Sequence, residues 1–239
     1  MPTAKLLETL SQTRALTSRL GLRGTAEYAT LRLMNAVRGP RFRRVFLIVL
    51  SKPRPSPQAA AARNHTFHFA SQAELESLAK DPSAGVMPWD LEAAADGSRC
   101  LLQLDAGKLV GYSWVARSPL IELIWGLHFN LPDDMAYNYN GFTAPAYRGT
   151  AFQGLRHLKV LEHLREEGKQ RLFACVDDVN YRSLRGVEKS GYQRVGVLTG
   201  VKRGGKTELS LSVDTDSWSE QVRLGPHQHH PEAASKVVQ

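Results

Sequence analysis

The sequence predicts an α/β fold, a sheet flanked by helices, on three observations. From about residue 64 to residue 213 strand-like and helix-like hydrophobic patterns alternate. One long amphipathic helix is expected from about Thr150 to Glu167, with Leu155, Leu158, Leu161 and Leu164 at three-residue spacing and Gly168 ending it. Short apolar runs are joined by turn chemistry, most clearly at Asp105-Ala106-Gly107-Lys108, a hairpin signal.

The elements divide into three zones, expected as residues 1–63, 64–215 and 216–239. In the first, Leu6, Leu7, Leu10, Leu16 and Leu20 predict a helix ending near Gly21, and Tyr28, Leu31 and Met34 predict a second over Thr25–Val37. Val45–Leu50 reads as a strand. Lys52-Pro53-Arg54-Pro55-Ser56-Pro57 then reads as a linker or extended crossing segment, because proline at alternate positions removes donors and disfavours helix.

The central zone opens with a short strand, His65–Phe69. Ser71-Gln72-Ala73-Glu74 is a capping box for a helix running to about Lys80, with serine capping the backbone and glutamate reaching back. Pro88 precedes a short helix, Trp89–Ala95. Cys100–Leu104 and Leu109–Ala116 are the hairpin strands. Ile121–Phe129 alternates strictly and is expected as one strand, with Glu122 and His128 on the same face. Ala136–Thr143 is a strand leading into the long helix. Arg171–Val176 is a strand, Tyr181–Lys189 a helix, and Tyr192–Leu198 and Thr207–Val213 are closing strands around Gly204-Gly205. The polar tail holds His227, His229 and His230, a cluster expected to be adventitious rather than a metal site.

The chain has 239 residues, enough for one well-cored domain with extensions, and a formal charge of +8. Such a charge favours anionic partners without choosing among nucleotide phosphates, nucleic acid, acidic membrane and acidic carrier protein. Its two cysteines, Cys100 and Cys175, lie in strand-like runs and read as buried free thiols, with no disulfide framework or zinc spacing. Lys5, Glu8, Arg14 and Arg19 interrupt any signal-peptide core, and the Val45–Leu50 run is too short to span a bilayer. The expected location is cytoplasmic, with peripheral membrane contact left open. There is no G-x-S-x-G elbow, Walker loop, H-E-x-x-H or C-x-x-C. No aromatic-basic recognition motif accompanies the charge, so nucleic acid is the less favoured partner.

The stretch that carries chemistry is Tyr137–Tyr192. A strand ending Asn140-Gly141-Phe142-Thr143 runs into Ala144-Pro145-Ala146-Tyr147-Arg148-Gly149, where the long helix opens. A helix N-terminus presents unpaired N–H groups and the positive end of the dipole; with a glycine loop and an arginine it makes a pyrophosphate cradle. The next strand leads to Asn180-Tyr181-Arg182-Ser183-Leu184-Arg185-Gly186-Val187-Glu188-Lys189-Ser190-Gly191-Tyr192.

This pair of segments resembles the GNAT acyltransferase superfamily. Pro145, Tyr147, Arg148 and Gly149 match its P-x-Y/F-R-G loop; Asn180, Ser183, Glu188, Lys189, Gly191 and Tyr192 match its second helix; Leu109-Val110-Gly111-Tyr112 matches the preceding strand. The resemblance implies a GNAT-like mixed central sheet whose two central parallel strands splay apart. It implies acetyl-CoA or another acyl-CoA as co-substrate and no metal. The pantetheine arm of coenzyme A would pair with Gly141, Phe142 and Thr143. The pyrophosphate would sit on Arg148, Gly149, Thr150, Ala151, Phe152, Gln153 and Gly154, with Asn180 and Ser183 across from it. The implied activity is N-acyl transfer, acetyl transfer being first choice, to a small-molecule amine such as an amino sugar, by direct attack on the thioester. The chain departs from the pattern where Ala151 replaces glycine, where Gln153 replaces glycine or alanine, and where Val187 replaces a tyrosine general acid.

Proton transfer must then come from elsewhere. Glu122, His128 and Tyr139 are the candidate catalytic residues; Tyr137 shares a strand face with Tyr139, and Asp177 and Asp178 end the second splayed strand. Against each stands a packing or solvent-facing role. His157 and His163 read as structural. The altered loop and Val187 keep open a second class of reading, a catalytically silent binding or assembly module. Ser118–Met135, including Trp125, is expected to shape the acceptor pocket. The arginine-rich N-terminal segment suggests contact with an anionic membrane surface or an acidic carrier protein, and a homodimer is a further expectation.

Overall fold

A computed structural model of the chain describes Leu33 and residues 42–56, 59–116, 120–122, 128–203, 206–213 and 223–224. The two N-terminal helices, Trp125, the Gly204-Gly205 turn and the histidines of the tail lie outside the described residues.

Eleven strands and four α-helices are described. The strands are β1 (Phe42–Leu50), β2 (His65–Phe69), β3 (Arg99–Asp105), β4 (Lys108–Ala116), β5 (Leu120–Glu122), β6 (His128–Asn130), β7 (Met135–Thr143), β8 (Arg171–Asp177), β9 (Gln193–Arg203), β10 (Lys206–Val213) and β11 (Arg223–Leu224). The helices are α1 (Gln72–Ala79), α2 (Pro88–Ala95), α3 (Phe152–Arg165) and α4 (Tyr181–Lys189). Eight strands form one mixed sheet in the order β10-β9-β1-β8-β7-β4-β3-β2, and β11-β6-β5 form a second, small sheet. In the large sheet only β7 and β8 run parallel.

Local chemistry explains most boundaries. Ser71 caps α1, and Glu74 accepts from the Ser71 N–H at 2.8 Å, the expected reciprocal box. Those bonds and one from His68 at 2.8 Å hold the Glu74 carboxyl down to about 2. Asn180 caps α4 through the Ser183 N–H. Strand alternation sends Leu101, Val115, Ala136, Leu172 and Ala174 to the face covered by α3 and α4, where Val160, Leu161, Leu164, Leu184 and Val187 meet them. Cys100, Leu102, Tyr112 and Trp114 face the other way, onto Leu75 and Val86.

Two expectations change. The zone boundary at residue 64 does not hold for the sheet: β1, from the N-terminal zone, lies between β8 and β9 and is antiparallel to both. Its continuous apolar run reflects burial on both faces; Val45, Leu47, Ile48, Val49 and Leu50 are all 5 % exposed or less. The Ile121–Phe129 strand is instead two short strands, β5 and β6, folded back on each other with Glu122 paired to His128. Strict alternation fits one strand or both arms of a hairpin, so periodicity alone could not decide between them.

Candidate active site

β7 and β8 pair only at Met135–Arg171, Ala136–Leu172 and Tyr137–Phe173. Beyond Tyr137, β7 continues to Thr143 bonded to β4, and β8 continues to Asp177 bonded to β1. The two strands therefore separate while each keeps its outer partner, and the gap exposes one free backbone edge on each side. A free edge is a template for an extended ligand carrying amides. β7 also carries a bulge: Tyr112 pairs with Phe142 and Trp114 with Tyr139, so Asn140 and Gly141 together oppose Ser113. Asn140 adopts φ +42°.

The gap opens into a cleft of about 750 Å³. Its lining comprises Gly141, Phe142 and Thr143 of β7; Tyr147, Arg148, Gly149, Ala151, Phe152, Gln153 and Gly154 around the start of α3; and Asn180, Arg182, Ser183, Arg185, Gly186 and Lys189 of α4 and its cap. None of these is acidic and four are basic, so the cleft is electropositive. The N-terminus of α3 lacks the side-chain cap that α1 and α4 have, which leaves its first amides free to serve a ligand. The loop before it turns through two left-handed residues, Gly149 at φ +85° and Ala151 at φ +61°. Thr150 staples the turn by donating to the Tyr147 carbonyl at 2.5 Å, and Arg148 Nε donates to the Thr143 carbonyl at 3.1 Å.

Behind the β7 wall lies Arg156, fully buried on α3. Its guanidinium donates to Gln103 Oε1 at 2.9 Å, the Phe142 carbonyl at 2.7 Å and Thr143 Oγ1 at 2.7 Å. All three acceptors are neutral. Burial lowers its pKa to about 10, so it remains charged at neutral pH and adds positive potential beneath the cleft. At the root of the gap, Asn138 is the first β7 residue past the last parallel pair. Its Nδ2 donates to the Tyr192 hydroxyl at 3.5 Å, while its Oδ1 and the nearby buried Ser113 Oγ have no protein partner among the described residues.

The cleft thus brings together eleven of the twelve residues expected to hold a donor; Thr150 shapes the loop from outside the lining. Of the catalytic candidates, Tyr139 lies outside that lining. Glu122 and His128 are cross-strand neighbours on the β5–β6 hairpin. Tyr139 stacks on Tyr137 with centroids 5.3 Å apart and packs against Trp114, on the sheet face away from α3; burial raises its pKa. Val187 is 2 % exposed within the α3–α4 core, so this position serves packing here. Sequence reading missed Arg182, Arg185 and Lys189 as cleft residues. Their spacing by three and four residues along α4 was the available signal. It also missed Arg156, whose burial no local pattern announces.

No protein-family model matches the sequence, and no curated protein matches it. Solved structures do. A GNAT-family protein from Novosphingobium aromaticivorans is 17 % identical, with a TM-score of 0.47 over 74 % of this chain and 67 % of that one. A GCN5-related N-acetyltransferase-like protein from Streptococcus suis is 12 % identical, with a TM-score of 0.43 over 70 % and 65 %. An aminoglycoside acetyltransferase from an uncultured soil metagenomic sample is 13 % identical, with a TM-score of 0.41 over 54 % and 88 %. The chain spans about two thirds of the length of the first two. The strand order and the diverging parallel pair make this an α/β fold, a mixed sheet flanked by helices.

Proposed function

We propose that this chain is an acyl-coenzyme A-dependent N-acyltransferase acting on a small-molecule amine, with an amino sugar the first acceptor to test. One observation carries the reading: the uncapped N-terminus of α3 and four basic side chains converge on a cleft that begins where the parallel strands part. A diphosphate fits the electrostatics there, and the free edge of β7 suits a pantetheine arm. An amine attacking the thioester carbonyl forms a C–N bond, breaks the C–S bond, loses a proton and leaves a thiolate that takes one up. The chain's contribution is to orient the donor and supply a base. Glu122 and His128 on the hairpin are the proposed bases, with Tyr139 a third candidate. Val187 cannot protonate the thiolate, which favours solvent for that step and keeps a silent coenzyme A-binding module as the second reading.

Isothermal calorimetry with coenzyme A and acetyl-CoA tests the donor site. Arg148→Glu, at an exposed residue whose side chain holds only the Thr143 carbonyl among the described residues, is expected to abolish measurable binding with an unchanged melting temperature. Wild-type affinity in that variant would remove the phosphates from this loop. Donor binding without turnover on an amine panel would select the silent module.

A further inference from the structure

The β7 bulge is held by a buried carboxylate that the acyl-transfer reading does not use. Asn140 sits at φ +42°, in the left-handed region that disfavours non-glycine residues and that asparagine tolerates better than most. The residue as a whole is exposed, yet its side-chain Nδ2 donates to the buried Asp90 Oδ1 at 2.7 Å. Asp90 is 1 % exposed, and no ion pair reaches it among the described residues. Its other oxygen, Oδ2, accepts the Met87 N–H at 2.9 Å and so closes the first turn of α2.

Capping α2 needs one acceptor and no burial; an exposed serine or aspartate would serve. The second oxygen, spent on a strand residue fifty positions away, is what a capping role leaves unexplained. The same segment touches the bulge twice more. The Tyr112 hydroxyl donates to the Gly85 carbonyl at 2.8 Å, and a Cβ placed on Gly85 would lie 3.2 Å from the Phe142 ring, which itself stacks on Tyr112. Residues 85–90 therefore hold β4 and β7 on both sides of the extra residue. Gly141, next to Asn140 in the bulge, lines the cleft.

We infer that Asp90 is a positioning residue: acting through Asn140, it fixes the bulge of β7 and with it the backbone edge that Gly141 presents to the cleft. Only an acceptor with two independent oxygens serves both the Met87 N–H and the Asn140 amide. Asparagine at position 90 keeps one acceptor and turns a donor toward the other partner. The kinetic consequence rests on the acyl-transfer reading; the structural one does not.

The test uses Asp90→Asn, Asn140→Ala and the double variant in the full chain. Asp90→Asn retains an acceptor for α2, and Asn140→Ala leaves α2 untouched. Each single variant is expected to lower kcat about tenfold with coenzyme A affinity changed less than about threefold, and the double variant to fall no further than the worse single one. Amide exchange across the paired residues that flank the bulge, Tyr112 and Trp114 of β4 with Tyr139 and Phe142 of β7, followed by NMR or peptide-level mass spectrometry, should accelerate in both single variants. Wild-type exchange across those pairs in Asp90→Asn overturns the clamp whatever the kinetics show, as do single effects that multiply. If wild-type protein neither binds coenzyme A nor acylates amines, the transferase reading fails and the exchange result alone decides the clamp.

Discussion

At the scale of single residues, the departures from the expected loop pattern acquire physical meanings. Ala151 occupies a left-handed position at φ +61°, which is why glycine suits it and why alanine there carries a cost of roughly 1 kcal/mol. Gln153 is the more consequential change. Its Nε2 donates to Ser183 Oγ at 3.4 Å, its Oε1 lies 3.5 Å from where a Cβ on Gly186 would stand, and its Nε2 lies 3.9 Å from that point on Gly141. The side chain thus crosses from α3 to α4 between two glycines, over the edge a pantetheine arm would use. Under the proposed function, a donor lying along that edge would have to displace it. Gln153→Ala is expected to raise coenzyme A affinity about threefold, the worth of one weak hydrogen bond, and to leave the affinity of adenosine 3′,5′-bisphosphate unchanged. Calorimetry with both ligands measures this, and equal gains for the two would place Gln153 away from the arm.

At the scale of elements, the cleft is an arrangement of strand ends and helix starts. β7 and β8 part beyond Tyr137 and Phe173 while each keeps its outer partner, and the start of α3 and one face of α4 line the opening. The helices divide the electrostatics: α3 gives free amides and α4 gives cations. Arg182, Arg185 and Lys189 are all exposed to solvent, so their attraction for phosphate is screened by salt. Arg185→Glu is therefore expected to weaken coenzyme A binding about tenfold at low ionic strength and much less at 1 M salt, where the Debye length falls to about 3 Å. A salt-independent loss would point to a direct geometric role for the guanidinium. From the sequence, α4 was legible to the residue, because Asn180 caps it and Ser190-Gly191 ends it. The β5–β6 hairpin was not, because one apolar period serves one strand or two.

At the scale of the whole molecule, β1 makes the N-terminal zone part of the fold. Five of its side chains are buried, and at about 1.5–3 kcal/mol each their burial is comparable to the entire net stability of a domain, about 5–15 kcal/mol. Removal of residues 1–50, which takes away β1, is expected to abolish the thermal transition, read by circular dichroism melting. Acid response follows from His157, which is 3 % exposed and whose pKa burial lowers to about 3. The unfolded chain takes up its proton near pH 6.5 and the folded chain does not, so stability is present above that pH and declines as pH falls toward 3. His157→Gln is expected to flatten that decline in denaturant melts between pH 6.5 and 4. The sequence by itself determined the alternating elements, their caps and the loop ahead of α3, since these depend on contacts a few residues apart. Only the tertiary structure decided that β1 enters the sheet beside β8, that the parallel pair ends at Tyr137 and Phe173, and that Arg156 and Asp90 grip β7 from opposite faces. Those outcomes depend on which distant surfaces bury one another, and burial between distant segments leaves no periodic trace along the chain.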